Sequence, residues 1–436
     1  MLTSSEGQTL RSGAADCRRV PRLFASPRLS YVLLLVMLIA GNLLIFSDYI
    51  LGNDCLVFED LGADSVHHNL PVMYYLSQAH SAGRYWIHGS VLGNNVFLFP
   101  WISVFNPILP LLGWQATVSD FAARMVYYPV LESLLAGSFL YWYLVRSGSS
   151  TVAAIVSSCG YALCGAFTAI STWMVMLAAP LLAALAIVLW AHKLWQQDGR
   201  WYVFSIAVAY FALTTQPLVT VYQLCVFFAL YLAFDKIVTA EKPSWHDVRH
   251  LLSNAWRTCV AGGVGLLMVA FFLLPHVYYM VLHSSRAPGA GIPLSATPRV
   301  DDVFVAFLRA FSNDLIGTAN IWTSRYQYRN YMELPFLYAG LVLVLVIPSY
   351  CILECYRRRS KRDLVALGVL LVPLALAQVF PGMRASLFFA GRVAISAGRA
   401  SSRSPPWPSP GIGRSTRCSY RRTCDERRRW YSRPSP

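Results

Sequence analysis

The segment Tyr31–Phe46, with the sequence YVLLLVMLIAGNLLIF, decides the fold class of this chain. It contains no charged residue, and apolar stretches of comparable length recur along the chain. Such stretches are typical of helices that cross about 30 Å of hydrocarbon. No small-residue cleavage signature follows Phe46, so we interpret the segment as an uncleaved membrane anchor.

Eight further apolar segments predict further spans. They fall near 121–145, 151–170, 172–191, 200–214, 218–234, 258–280, 334–354 and 364–381. Only 13% of the residues are charged and the mean hydropathy is +0.47, whereas soluble domains carry about 25% charged residues. The composition excludes a disordered protein and argues against a soluble multidomain enzyme. We predict an all-α integral membrane protein with about nine transmembrane helices in residues 30–381.

The distribution of basic residues predicts the orientation. With a cytoplasmic N-terminal segment 1–29, the cytoplasmic pieces hold 17 Lys and Arg residues, and the two large loops on the opposite side, 48–120 and 281–333, hold 6. This asymmetry follows the positive-inside rule. The predicted nine-span topology places two large loops, 48–120 and 281–333, outside the cytoplasm.

The tail 382–436 has a different composition from the rest of the chain. From Arg384 onward there are 12 Arg, no Lys and 2 acidic residues, which give +10 of the net charge of +15. A basic arm for lipid headgroups or RNA and a disordered terminus are two interpretations. A third is a GC-rich gene read out of frame, which would make the chain the N-terminal part of a longer protein. Since the excess charge lies in this tail, we expect no nucleic-acid partner for the membrane domain.

The first outer loop carries the residues best suited to chemistry. Loop 48–120 holds six acidic residues against one arginine. Asp60 and Asp64 are four residues apart, so a helix would place both carboxylates on one face, and His67 and His68 follow directly. Carboxylates with water suit Mg²⁺ or Mn²⁺, so a divalent cation could be held here. The alternative is that these acids only solvate the loop.

The motifs Phe58–Asp64 (FEDLGAD) and Asn330–Pro335 (NYMELP), together with several shorter stretches, resemble sequences of the YfhO family of bacterial membrane proteins. In the first loop they are Phe58–Asp64 (FEDLGAD) with Pro71 and Tyr74-Tyr75, Gly89–Asn94 (GSVLGN) and Phe105–Pro107 (FNP). Near the second loop they are Leu274-Pro275 with Ser284–Arg286 (SSR), and Asn330–Pro335 (NYMELP) with Tyr338–Gly340 (YAG). The resemblance spans roughly 30–381, and YfhO proteins look like glycosyltransferases of the GT-C superfamily.

The resemblance implies an activity and roles for individual residues. It implies sugar transfer from a polyprenyl-phosphate donor in the bacterial membrane to a cell-envelope glycan or polymer. Asp60 would be the general base on the acceptor hydroxyl, with Asp64 as its partner. Arg286 would contact the anionic phosphate, and Glu333 would orient the acceptor or close the site. Both residues also have a structural interpretation. Arg286 would extend its side chain to the lipid headgroups, and Glu333 would stabilise the positive end of a helix dipole at the start of a helix.

Three further features have both structural and functional interpretations. Glu132 falls within the segment 121–145, and an ionisable residue there suggests function, although Arg124 lies two turns away. His276 is expected to be a hydrogen-bonded packing residue. The run Gly262–Gly265 lacks the phosphate-binding Gly-Lys-Ser/Thr pattern and is interpreted as a helix-packing feature.

Two other function classes remain open. One is a transporter or flippase for lipid-linked saccharide, which should carry ionisable groups in the bundle interior and repeated halves. The other is a non-catalytic scaffold or an inactive fragment.

Overall fold

A computed structural model provides the structure of the protein. It describes residues 26–56, 69–82, 86–87, 94–95, 105–168, 175–215, 217–239, 245–282, 345–346, 348–350, 352–353 and 361–379. The N-terminal segment 1–25, most of loop 281–333 and the tail from 380 onward lie outside these ranges.

The described part of the chain is mostly helical. The helices along the first half are α1 (Pro27–Ile45), α2 (Ser47–Ile50), α3 (Leu70–Ala82), α4 (Ile108–Gly113), α5 (Val118–Arg124), α6 (Tyr127–Arg146), α7 (Thr151–Ala162) and α8 (Gly165–Thr168). Those of the second half are α9 (Val175–Asp198), α10 (Trp201–Thr214), α11 (Pro217–Thr239), α12 (Trp245–Met268), α13 (Ala270–Leu282) and α14 (Lys361–Val379). The strands β1 (Trp86–Ile87) and β2 (Asn94–Asn95) form one antiparallel pair.

Three described helices are long and apolar enough to cross a membrane. They are Pro27–Ile45, Ala179–Asp198 and Thr220–Val238, and a fourth span results if the bent pair Arg249–Met268 and Ala270–Tyr278 is counted as one. All of the predicted apolar segments except 334–354, most of which is not described, contain a helix. The structure therefore supports a helical membrane protein.

The predicted span 258–280 differs from the expectation of one continuous helix. Helices α12 and α13 meet at an angle of 85°. The break lies at Val269, where the backbone N–H donates to the Leu266 carbonyl at 3.2 Å and the Phe272 N–H donates to the Val269 carbonyl at 3.0 Å. Each of these hydrogen bonds joins residues three apart, as in a 3₁₀ turn. The backbone is therefore wound more tightly here, and the regular α-helical hydrogen-bond pattern is interrupted.

Helix α1 has one face buried in the bundle, and apolar residues are exposed on the rest of its surface. Its buried residues are Ser30, Leu34, Leu38 and Asn42, a spacing of four that places them on one face. Elsewhere on the helix Leu44 is 81% exposed and Val36 57%. A large exposed apolar surface marks a membrane or protein contact, and on a helix of this length and composition it fits contact with lipid.

Helices α1 and α6 pack antiparallel and define the two ends of the bundle. The Tyr141 hydroxyl donates to the Pro27 carbonyl at 2.7 Å, and the Asn42 amide donates to the Ser133 hydroxyl at 3.0 Å. The end of α1 and the start of α6 are thus adjacent. The intervening segment, which includes the predicted loop 48–120, begins and ends at this end of the bundle.

Glycine permits a close approach between α12 and α10. A Cβ atom added at Gly265 would collide with the backbone carbonyl oxygen of Ser205, whereas one added at Gly263 would meet nothing within 4 Å. The Ser205 hydroxyl also donates to the Ala261 carbonyl at 2.8 Å. The glycine run therefore serves helix packing at Gly265, as its sequence predicted.

The substitution Gly265→Ala is expected to destabilise the bundle. The obstructing atom belongs to a backbone and cannot rotate away, so the two helices must separate, and overpacking of this kind costs about 1–3 kcal/mol. Gly263→Ala is the matched control, because alanine is favoured over glycine within a helix by up to about 1 kcal/mol. Thermal unfolding in detergent should shift down for Gly265→Ala and stay level or rise for Gly263→Ala; equal shifts would contradict the packing.

Candidate functional site

The residues that the sequence singled out as the site lie outside the described residues. Asp60, Asp64, His67 and His68 fall in 57–68, and Arg286 and Glu333 fall in 283–344. Their proposed roles remain predictions. Among the described residues no group of three or more His, Cys, Asp or Glu side chains is placed to hold a metal ion.

A buried polar cluster lies at the end of the bundle to which loop 48–120 is attached. It consists of Asn106, Tyr128 and Glu132, which are 1%, 2% and 0% exposed. Asn106 precedes α4 and comes from the C-terminal part of the predicted loop. Tyr128 and Glu132 lie on the first turns of α6, where a spacing of four residues places them on one face.

The amide of Asn106 connects the loop to this carboxyl group. Its Nδ2 donates to the Tyr128 hydroxyl and to Glu132 Oε1, each at 2.8 Å. Its Oδ1 accepts from the Ile108 backbone N–H at 2.9 Å. This is an Asx-type turn at the start of α4. Asn106 therefore fixes the backbone of the loop and the position of the Glu132 side chain together.

The second carboxylate oxygen of Glu132 has no hydrogen-bond partner in the described part of the chain. Oε2 is fully buried, and burial of an unpaired polar or charged group is costly. A cation or a hydrogen-bond donor that contacted Oε2 would stabilise the ionised carboxylate. The cluster is thus suited to hold a donor group, a cation or a proton.

Arg124 does not pair with Glu132. Its Nη1 donates to the carbonyls of Leu112, at 3.2 Å, and Trp114, at 3.1 Å. These carbonyls lie at the C-terminal end of α4, where basic side chains stabilise the partial negative charge of the helix. Arg124 therefore stabilises the end of α4 and does not neutralise Glu132.

Aromatic rings join the loop to α13. Phe105 makes edge-to-face contacts with Phe271, at 5.7 Å, and Phe272, at 5.3 Å, between ring centroids. His276 is 3% exposed, and its Nδ1 lies 3.3 Å from the Phe272 carbonyl, which agrees with its predicted packing role. The helix that leads toward loop 281–333 therefore packs against the residue that precedes Asn106.

The two described ends of loop 48–120 are electrostatically negative. Burial raises the pKa of the Tyr49 hydroxyl, and the carboxylates of Asp54 and Asp48 raise it further. At the other end, hydrogen bonds from the hydroxyl and backbone N–H of Thr117 hold the pKa of Asp120 below its usual value. Asp120 thereby completes a capping box that starts α5.

Sequence reasoning identified the members of the cluster separately and missed their contact. Glu132 was noted as an ionisable residue in an apolar segment, and Asn106 was noted only within the motif Phe105–Pro107. An Asn that precedes Pro is a turn signal. No pattern in the sequence indicated that the turn would donate to a carboxylate 26 residues later.

Comparisons of the chain with protein-family models, with curated proteins and with solved structures found no match.

Proposed function

We propose that this chain is a multi-pass bacterial membrane protein of the GT-C glycosyltransferase type. It has about nine transmembrane helices and a cytoplasmic N-terminus. Loops 48–120 and 281–333 form its outer face. It transfers a sugar from a polyprenyl-phosphate donor in the membrane to a cell-envelope glycan or polymer.

The contact between Asn106 and Glu132 is the observation that carries the proposal. It links the predicted outer loop to a buried carboxyl group at one end of an apolar helical bundle. Phe105, the neighbour of Asn106, packs against α13, which leads toward the second predicted loop. The start of α13 therefore packs against the end of the first predicted loop. This contact supports a site between the two predicted loops, where a membrane-embedded donor and a water-borne acceptor can meet.

The chemistry is a displacement at the anomeric carbon of the donor sugar. Asp60 takes the proton of the acceptor hydroxyl as the new C–O bond forms and the bond to the polyprenyl phosphate breaks. Asp64 orients Asp60, and Glu333 orients the acceptor. Arg286 contacts the departing phosphate, whose negative charge it stabilises.

His67 and His68 are assigned to substrate binding beside the acid pair. If a divalent cation takes part, Asp60 and Asp64 are its carboxylate ligands, and Mg²⁺ or Mn²⁺ suits such oxygen ligands. The cation would neutralise the repulsion between the two carboxylates.

The test is a transfer assay on the purified full chain in lipid nanodiscs. The chain is mixed with a polyprenyl-phosphate sugar that carries a radiolabel and with cell-wall glycan. Labelled glycan and free polyprenyl phosphate should appear in equal amounts. If a panel of such donors gives neither product, the enzyme proposal fails.

One observation favours a second candidate function, the transport of lipid-linked saccharide. Glu132 is a fully buried ionisable residue in an apolar segment, and such residues often line transport pathways. In liposomes, a transporter would move a fluorescent lipid-linked saccharide between leaflets without producing labelled glycan. A transferase would require the acceptor and would release polyprenyl phosphate.

A further inference from the structure

A polar cavity lies at the end of the bundle opposite Glu132. It occupies about 470 Å³ between the C-terminal parts of α9 and α11 and the N-terminal half of α12. The ion pair of Arg146 with Asp198, at 3.4 Å, places the end of α9 beside the end of α6. Fourteen residues of α6 separate Glu132 from Arg146, a distance of roughly 20 Å along a helix.

All three helices change from apolar to polar at the level of this cavity. In α9 the first Asp, Glu, His, Lys or Arg residue is His192, and in α11 it is Asp235; in α12 the last one is Arg257. These three residues all line the cavity. Because α9, α11 and the α12–α13 pair are the candidate membrane spans after α1, the cavity lies at the depth where lipid headgroups meet the hydrocarbon.

The cavity presents hydrogen-bond donors that have no partner among the residues that the structure describes. Gln196, Asn254 and Arg257 line it and are exposed. In the described residues, none of these three side chains forms a hydrogen bond or ion pair. Guanidinium and amide N–H groups suit a phosphate.

The cavity also presents an acceptor, the carboxylate of Asp235, and the buried ring of His192 lies beside it. His192 is 2% exposed and lines it. Its Nε2 lies 3.5 Å from the Thr258 hydroxyl, which donates its proton to the Asn254 carbonyl at 2.8 Å. In this arrangement Nε2 carries the proton, and Nδ1 is buried, without a partner in the described part of the chain and without a surface that opens into the cavity.

We propose that this cavity binds the headgroup of a membrane phospholipid whose phosphodiester carries a hydroxylated group such as glycerol. Arg257 and Asn254 contact the phosphate, and Gln196 extends this donor set. Asp235 faces the hydroxyl groups, which donate to its carboxylate. The acyl chains lie along the exposed apolar surface of α12 beyond Arg257, where Val260 is 48% exposed and Leu267 74%.

The experiment measures retention of phosphatidylglycerol by the purified full chain. The protein is titrated with this lipid in detergent, and bound lipid is counted by native mass spectrometry. Arg257→Gln should weaken binding about tenfold or more, because it removes the charge-assisted contact. Asn254→Asp should also weaken binding, because it places a carboxylate against the phosphate. Both residues are exposed, so thermal unfolding should change little.

The control is Arg28→Gln, which removes an arginine from the same end of the bundle. Pro27 contacts Tyr141 there, Arg28 is exposed, and it does not line the cavity. This variant should retain the lipid as the unmodified chain does. An equal loss of bound phosphatidylglycerol in Arg28→Gln and Arg257→Gln would show that the lipid is held by the overall positive charge of this end of the bundle, and would overturn the proposed site.

A soluble ester distinguishes the two sources of the phosphate. Glycerol 3-phosphate should not displace phosphatidylglycerol, because it lacks acyl chains to contact α12. Displacement by this ester at comparable concentration, lost in Arg257→Gln, would assign the cavity to a soluble phosphate ester and would overturn the lipid proposal. Unchanged lipid binding in both Arg257→Gln and Asn254→Asp would overturn it as well.

Discussion

The substitution Asp60→Asn is expected to lower the rate of sugar transfer by about 10²–10⁴-fold, the usual contribution of a general base. The amide keeps the shape of the carboxylate and cannot accept the proton of the acceptor hydroxyl. The rate is measured as labelled glycan formed by the full chain in nanodiscs. Donor binding should persist, because the phosphate contact is assigned to Arg286.

Asp54→Asn is the matched control for this experiment. Asp54 belongs to the same loop and is exposed in the structure, and no role in the reaction is assigned to it. Its replacement should leave the rate within a factor of two or so. If Asp60→Asn and Asp64→Asn both transfer sugar at the unmodified rate, neither carboxylate is the base and the assignment of the site is wrong.

The substitution Asn106→Ala is expected to have a large effect on stability. It removes both amide hydrogen bonds, at 2.8 Å, and leaves Glu132 Oε1 buried without its donor. It also removes the acceptor for the Ile108 N–H at the start of α4. An unsatisfied buried polar group costs about 1–3 kcal/mol, and more when it is charged, so the expected loss is about 3 kcal/mol in thermal or denaturant unfolding.

Two comparisons isolate the role of Glu132 in this loss. Asn53→Ala removes an exposed asparagine side chain from the same loop and should change stability by less than about 0.5 kcal/mol. In a Glu132→Leu background, Asn106→Ala should cost much less, because no buried carboxylate then loses its donor. Equal costs of Asn106→Ala with and without Glu132 would show that the hydrogen bond is energetically unimportant.

The sequence predicted the helices because the bilayer constrains them. A membrane-crossing segment must be apolar over most of its length and must satisfy its backbone polar groups internally, so Tyr31–Phe46 and 218–234 are recognisable from composition alone. The close contact at Gly265 was also predictable in kind, because small residues mark helix contacts in such proteins. Its partner, the backbone of Ser205, was not.

The break at Val269 had no local signal in the sequence. The residues beside Val269 are Met268 and Ala270, so neither proline nor glycine explains the break. Pro275 lies inside α13 and does not divide it. Val269 is 3% exposed and packs with Ala209 and Ala212 of α10. Tertiary packing of this kind cannot be derived from the periodicity of one segment.

The candidate site was predictable only in its individual residues. A motif and an unusual charge pointed to Asn106 and Glu132 separately, whereas their contact depends on the path of loop 48–120 back to the bundle. The cavity lined by His192, Asp235 and Arg257 was likewise not predictable from the sequence. Each residue marks where its own helix becomes polar, and only the packing of three helices brings them together.

Labelling of Cys55 tests the membrane topology on which the proposed function depends. Cys55 is a free, exposed cysteine in loop 48–120. The nine-span model places seven of the other cysteines in spans or on the cytoplasmic side, and it places Cys418 and Cys424 of the tail on the outer side. In a chain that carries Cys418→Ser and Cys424→Ser, a membrane-impermeant maleimide applied to intact cells should label Cys55, and the further substitution Cys55→Ser should abolish the label. Labelling of Cys55 only after the cells are permeabilised would place this loop in the cytoplasm and would contradict the account.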